Sequence, residues 1–138
     1  MIGLMTEDEV EATLWRQRIG RIGCSVNDRP YVVPITYAYD GTYVYAYSGL
    51  GRKIEVMREQ PLVCFEVDEV EGDVSWRSVI AEGVYEELVD DGARRDALAL
   101  LTSDGAQVVP RSLDGAGRLV VFRLRLTERS GRFERRDA

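Results

Sequence analysis

Between Pro30 and Ser48 the chain reads PYVVPITYAYDGTYVYAYS. Tyrosine, valine and other strand formers flank Asp40-Gly41, a dipeptide suited to the positive φ of a two-residue hairpin turn. Such a segment folds as an antiparallel pair, and an isolated pair needs further elements to cover its apolar face. With Asp40-Gly41 as the turn, Tyr39 faces Thr42, Thr36 faces Tyr45 and Pro34 faces Tyr47. Side chains alternate along a strand, so one face carries Val32, Pro34, Thr36, Ala38, Tyr43, Tyr45 and Tyr47. The other carries Tyr31, Val33, Ile35, Tyr37, Tyr39, Val44, Ala46 and Ser48. Pro34 donates no hydrogen bond to a ladder, so it marks a sheet edge or an interrupted pairing. Two uses of such a gap are open. The planar ring of a ligand fills it and bonds the backbone of Ile35 and Thr36, or the tyrosines simply face a barrel core.

The rest of the chain supplies the covering elements. Thr6 followed by Glu9 is a capping box and opens a helix through Arg18. Strands are expected at Ile19–Val26, Pro30–Tyr39, Thr42–Ser48, Leu62–Asp68, Val74–Leu88 (bent at Gly83) and Leu119–Thr127, with Asn27-Asp28-Arg29 as a turn. Arg52–Glu59 reads as a short helix, Glu69–Asp73 as a loop, Asp90 as the cap of a third helix, and Ser103–Gly117 as a loop. Six strands joined mostly by hairpins, with three peripheral helices, argue a mainly β (α+β) architecture: an antiparallel sheet closed into a small barrel. At 138 residues the chain fits a single domain, 1–138, with a core that needs no staples.

Composition narrows the chemistry. The chain has no histidine, so neither a Ser-His-Asp triad nor a His-containing zinc site can be built. Proton transfer falls to tyrosine, carboxylates, Lys53 or water. Cys24 and Cys64 stand apart among apolar residues and read as buried small hydrophobes of a reducing compartment, with no metal site expected. No apolar run approaches a membrane span, and the acidic N-terminus lacks a signal-peptide pattern; a cytoplasmic protein without a membrane partner is expected. The net charge of −6 is uneven. Residues 1–110 hold 10 basic and 20 acidic residues, whereas Arg111–Ala138 hold 8 arginines and 4 acids. An acidic body disfavours nucleic acid. The basic end reads as a strand with arginines on its outer face, or as an anion-binding arm.

The strongest local motif is Ala46-Tyr47-Ser48-Gly49-Leu50-Gly51-Arg52-Lys53-Ile54. A strand ends, a glycine-rich bend follows, and a helix begins on two cations. Glycines let backbone approach an anion, and free N–H groups at a helix start point outward. The spacing is not that of a P-loop. The alternative is an ordinary strand-to-helix turn with solvated cations. Cations oppose a helix N-terminal dipole, a conflict that an anionic ligand removes. Val74-Ser75-Trp76-Arg77-Ser78-Val79 is a third feature, with a tryptophan that stacks on a ring, fills an interface, or is structural.

Taken in order, GRIGCSVNDRPYVVPITYAYDG, YVYAYSGLGRKIEVMREQPLVCFEVDEV and WRSVIAEGVYEEL resemble the pyridoxamine 5'-phosphate oxidase-related family of FMN-binding split-barrel proteins. The resemblance runs from about Thr6 to Leu88, with a weaker echo at Arg118–Arg132. It implies a six-stranded antiparallel split barrel with flanking helices, and a homodimer with two FMN sites at the subunit interface. By the same resemblance, Val33, Pro34, Ile35 and Thr36 match the strand along the isoalloxazine ring. Tyr47 and Ser48 match the strand end beside the ribityl chain and phosphate, and Arg52 and Lys53 match the phosphate-binding pair. Trp76, Arg77 and Ser78 match the segment supplied by the other protomer. Related branches often carry histidine at the Tyr47 position, and the basic residues that hold pyridoxal phosphate in the true oxidase have no clear counterpart. The expectation is therefore a small FMN-dependent oxidoreductase acting on a small molecule, not pyridoxamine phosphate oxidation. The alternatives are a deazaflavin-dependent reductase on the same fold, a non-catalytic flavin reservoir or sensor, and a cofactor-free interaction domain. A dimer is also expected because, on the two-faced hairpin, Tyr31, Tyr37, Tyr39, Trp76 and Val79 cannot all point into one small interior.

Overall fold

A computed structural model describes residues 1–72, 74–103 and 119–136. Its strands are β1 (Ile2–Leu4), β2 (Ile19–Val26), β3 (Arg29–Thr36), β4 (Ala38–Tyr39), β5 (Tyr43–Ser48), β6 (Leu62–Glu71), β7 (Ser75–Glu87) and β8 (Val120–Glu134). Its helices are α1 (Glu7–Arg16), α2 (Arg52–Glu59) and α3 (Asp91–Thr102). Every strand pairing is antiparallel, in the order β3-β2-β6-β7-β8-β5-β4, with β1 added on β8. The two ends of that path, β3 and β4, are separated by Tyr37 alone. The sheet therefore curls until its ends meet at one residue, yet β3 pairs only with β2. This is a barrel split between β3 and β5.

Local chemistry explains the elements. The Thr6 hydroxyl accepts the Glu9 N–H at 3.2 Å, and the Glu9 carboxylate accepts the Thr6 N–H at 3.1 Å, so the capping box forms. The Asp90 carboxylate caps α3 by accepting the Ala93 N–H at 2.9 Å. Asn27 and Asp28 both have positive φ, 52° and 61°, the conformation of a two-residue turn that suits the sheet's twist. Phe65, Phe122, Leu14, Ile22, Ile54 and Met57 are completely buried at the centre. Phe65 lies 5.0 Å from the Tyr37 ring, edge to face. Gly20 leaves the room that Phe65 needs, since a Cβ there would sit 2.5 Å from the ring.

The structure corrects several expectations. Among the described residues there are eight strands, not six: β1 is additional, and the strand expected at Pro30–Tyr39 is two, β3 and β4. Tyr37 breaks it, because its N–H donates to the Arg18 carbonyl at 2.8 Å and follows β2, while Ala38 and Tyr39 turn to β5. Tyr39 faces Val44 and Ala38 faces Tyr45, so the hairpin loop has four residues, not two. The Asp40 carboxylate holds that loop, accepting the N–H groups of Thr42 and Tyr43 at 2.9 and 2.7 Å. Thr36 and Pro34 face Ile19 and Arg21 of β2, not β5. Residues 69–71 continue β6, and β8 runs on past Thr127, with a bulge opposite Glu82/Gly83. The loop expected at Ser103–Gly117 lies, from residue 104, outside the described residues. Tyr37, Tyr39 and Val79 are buried inside the chain, at 4%, 4% and 0% exposure, so they are not surplus apolar surface.

Candidate functional site

β5 ends at Ser48, whose hydroxyl donates to the Gly49 carbonyl at 2.8 Å. The chain then bends and α2 starts from Gly51, an N-cap with no side-chain hydrogen bond. The first N–H groups of the helix thus lack an intrahelical or side-chain acceptor. A Cβ built on Gly51 would meet nothing within 4 Å, so this backbone opens on free space. Arg52 and Lys53 occupy the first two helical positions, where the dipole disfavours cations. Lys53 is half-buried and, among the described residues, has no carboxylate partner. Burial alone holds its ammonium below the ordinary lysine range. The Arg52 guanidinium lies over the Tyr31 ring, 5.4 Å from its centroid, and likewise pairs with no described carboxylate. By contrast Arg16, Arg21, Arg58, Arg77, Arg123, Arg125 and Arg129 are all ion-paired to Glu or Asp.

Next to this cradle lies the split. β3 is paired on one side only, so half of its backbone groups have no strand partner. Along it Val33 and Thr36 are half-buried, Pro34 is exposed and Ile35 is buried at 6% exposure. On β5 the two expected residues point to opposite faces. The Tyr47 ring packs with Leu88, Ala97 and Val121 beneath α3, whereas Ser48 shares the face of Val44 and Ala46.

Trp76, Arg77 and Ser78 lie elsewhere. They sit on β7 where it pairs with residues 132–134 of β8, whereas Ser48 pairs with Val120 at the other end of β8. The two groups are roughly 45 Å apart along that strand, at about 3.3 Å per residue. Trp76 and the start of α2 therefore lie toward opposite ends of β8. Each of the three is already engaged. Trp76 Nε1 donates to Glu134 at 3.0 Å, Arg77 faces Glu69 and Glu71 at 3.5 and 3.6 Å, and the Ser78 hydroxyl donates to Glu66 at 3.1 Å. Trp76 and Arg77 line a cavity of about 290 Å³ with Glu69, Phe133 and Arg135.

The sequence reading missed Tyr31 as the support of Arg52. Alternation along β3 puts Tyr31 on the inward face, but which helical residue it meets depends on how α2 docks, and no local pattern encodes that.

The family model described as pyridoxamine 5'-phosphate oxidase matches residues 6–133. The chain belongs to the pyridoxamine 5'-phosphate oxidase family. An uncharacterized protein of Rhizobium meliloti (strain 1021) is 31% identical over 142 residues, covering 95% of this chain and 94% of that one. Among solved structures, an FAD-binding protein of Mesorhizobium loti superposes with a TM-score of 0.82 at 34% identity, covering 98% of this chain and 99% of that one. The FAD-binding protein of Mycobacterium smegmatis, 20% identical, has a TM-score of 0.76 over 98% and 100% of the two chains and shows the shared fold. Within this family member, no helix of the described residues is long and apolar enough to cross a membrane.

Proposed function

We propose that the protein binds a flavin nucleotide, FMN, in the split of the barrel and serves as a small oxidoreductase. One observation carries this reading: Arg52 and Lys53 stand together at an uncapped helix start without any described carboxylate partner. Two cations placed against the dipole, one of them half-buried, are costly without an anion. A phosphate supplies it, and the open backbone at Gly51 leaves the space. The donor set fits the group. Arg52, Lys53 and the N–H groups of the first turn of α2 would hold the phosphate, and the unpaired edge of β3 at Val33–Thr36 would offer backbone groups to the ring. A bound flavin would supply hydride and electron transfer. The chain's own task is to bind, orient and desolvate. Burial holds the phenols of Tyr37 and Tyr39 above the usual tyrosine range, so both remain protonated at neutral pH and neither serves as a base. The two free cysteines, Cys24 buried as expected and Cys64 exposed on the outer face of β6 against expectation, suit a reducing compartment such as the cytoplasm.

The reading includes a homodimer. The position of Trp76, Arg77 and Ser78 far along β8 from Lys53 supports it, since a second copy is what would bring them to the same ligand. So does an outer sheet face that exposes Val32, Leu62 and Ile80 at 67%, 65% and 54%. A second reading, FAD in place of FMN, is favoured by the 34%-identical FAD-binding protein of Mesorhizobium loti.

The test is a titration of the wild type and Lys53→Ala with FMN and riboflavin, alongside the mass of whatever co-purifies. A charge-assisted hydrogen bond of about 1.5–3 kcal/mol makes Lys53→Ala weaken FMN by about 10–100-fold. Riboflavin, which lacks the phosphate, loses little. Equal losses for both overturn the phosphate assignment. A co-purifying mass of FAD or of a deazaflavin replaces FMN, and a colourless protein with no affinity for added flavin overturns the whole reading.

A further inference from the structure

We propose that Tyr31 is a positioning residue for the anionic group of the ligand: its ring holds Arg52 at the start of α2 without occupying the guanidinium's N–H donors. The inference rests on the reading of Arg52 and Lys53 as the phosphate pair. A guanidinium presents five N–H donors in one plane. At seven other arginines of the described residues those donors are committed to carboxylates. Arg58, for example, gives Nε and Nη2 to the two oxygens of Glu87 at 2.7 and 3.1 Å. A carboxylate at Arg52 would fix the side chain equally well, but an incoming anion would have to displace it from the same edge. An aromatic ring attracts the cation through its quadrupole and takes no N–H edge from it. Tyr31 lies opposite Cys24 in the β2–β3 ladder and packs against the main core, so the ring is itself held. Its hydroxyl makes no hydrogen bond among the described residues, so the useful part of the side chain is the ring. Arg52 thereby loses less rotamer freedom on binding than a free arginine would, with its donors still available.

The experiment compares wild type, Tyr31→Phe, Tyr31→Leu, Arg52→Ala and the Tyr31→Leu/Arg52→Ala double variant by FMN and riboflavin titration. An exposed cation–π contact corresponds to about a 2–5-fold change in a binding constant. Tyr31→Leu should weaken FMN by about that factor, leave riboflavin unchanged and add nothing to Arg52→Ala, while Tyr31→Phe behaves as wild type. Equal loss for FMN and riboflavin, or full additivity with Arg52→Ala, overturns the proposal. The contact is also read without flavin from the Arg52 Nε–H resonance in ¹⁵N spectra. That resonance should be ring-shifted in wild type and Tyr31→Phe and lose the shift in Tyr31→Leu. An identical resonance in all three overturns the proposal. If wild type binds no flavin, inorganic phosphate titrated against the same resonance decides. A shift weakened by Tyr31→Leu sustains Tyr31 while the flavin reading falls, and no shift in any protein removes both.

Discussion

Lys53 shows what a half-buried cation costs without a described carboxylate partner. Its folded-state proton affinity is below that of an ordinary lysine because burial penalises the ammonium. In the pH window between its folded and unfolded pKa the unfolded chain binds more protons, so this residue makes stability rise with pH there. Below that window the penalty is present in full; above it the penalty is gone. Lys53→Met keeps the aliphatic stem and discards the charge. The ligand-free variant should therefore melt higher than wild type at neutral pH, with the gap closing as pH rises through that window. Scanning calorimetry on both proteins checks this. Because Tyr37, Tyr39 and Tyr85 also titrate at high pH, the difference between the two melting curves is the quantity to read. Adding FMN should invert the order, because only wild type regains a partner for the charge.

At the scale of elements, β3 combines a proline with an unpaired edge. Pro34 faces Arg21 of β2 and is exposed. Pro34→Val restores an N–H and a strand former. The fold should survive with a circular dichroism spectrum like the parent's, while FMN affinity falls as water or a neighbouring strand competes for that edge. Unchanged affinity would reduce Pro34 to a strand-edge residue. Much of this level was legible in the residues themselves. Thr6 and Glu9 form their capping box, Asp90 caps α3, and β2 and α2 have the expected bounds, because caps and alternation are local. The hairpin was misjudged by two residues, since Asp40 bonds forward to Thr42 and Tyr43 and widens the loop. A two-residue slip preserves side-chain parity, so Tyr37, Tyr39, Val44 and Ala46 still share one face, which the fold turns inward. β1 was illegible: Ile2-Gly3-Leu4 is exposed at both ends and exists because β8 offers it a ladder. The same holds for residues 128–134, whose strand state comes from pairing with β7 and not from any apolar alternation.

For the whole molecule, the question is what covers the outer face of β3, β2, β6 and β7. Val32, Leu62 and Ile80 share it with the ion-paired Arg21, Glu66 and Asp68. An apolar surround around a charged centre suits a symmetric partner. Leu62→Asp should shift sedimentation from dimer to monomer at micromolar concentration with the fold intact, and FMN should oppose the shift in wild type, since a ligand touching both chains binds the assembled state. Trp76→Ala should lower dimer and FMN affinity together. A wild-type monomer that binds FMN at full strength would separate the cofactor from assembly and remove Trp76 from the site. The site was only half legible for a geometric reason. Arg52 and Lys53 adjoin their strand in sequence, whereas Trp76 lies toward the other end of β8, and on the proposed reading only a second copy would bring it to them.

β8 adds a kinetic consequence. It is synthesised last of the eight strands, yet β1, β5 and β7 all pair with it, and Phe122, Leu124 and Leu126 fill the core from it. A nascent chain that has not yet released β8 leaves β5 and β7 with open edges and the interior unfilled. The barrel therefore closes only after synthesis has passed Glu134, joining residues as distant as Ile2 and Glu134. Closing so long a loop is entropically slow, which places refolding in the range of about milliseconds to seconds typical of non-local β proteins. Until then the exposed edges are the chain's window for chaperone capture or aggregation.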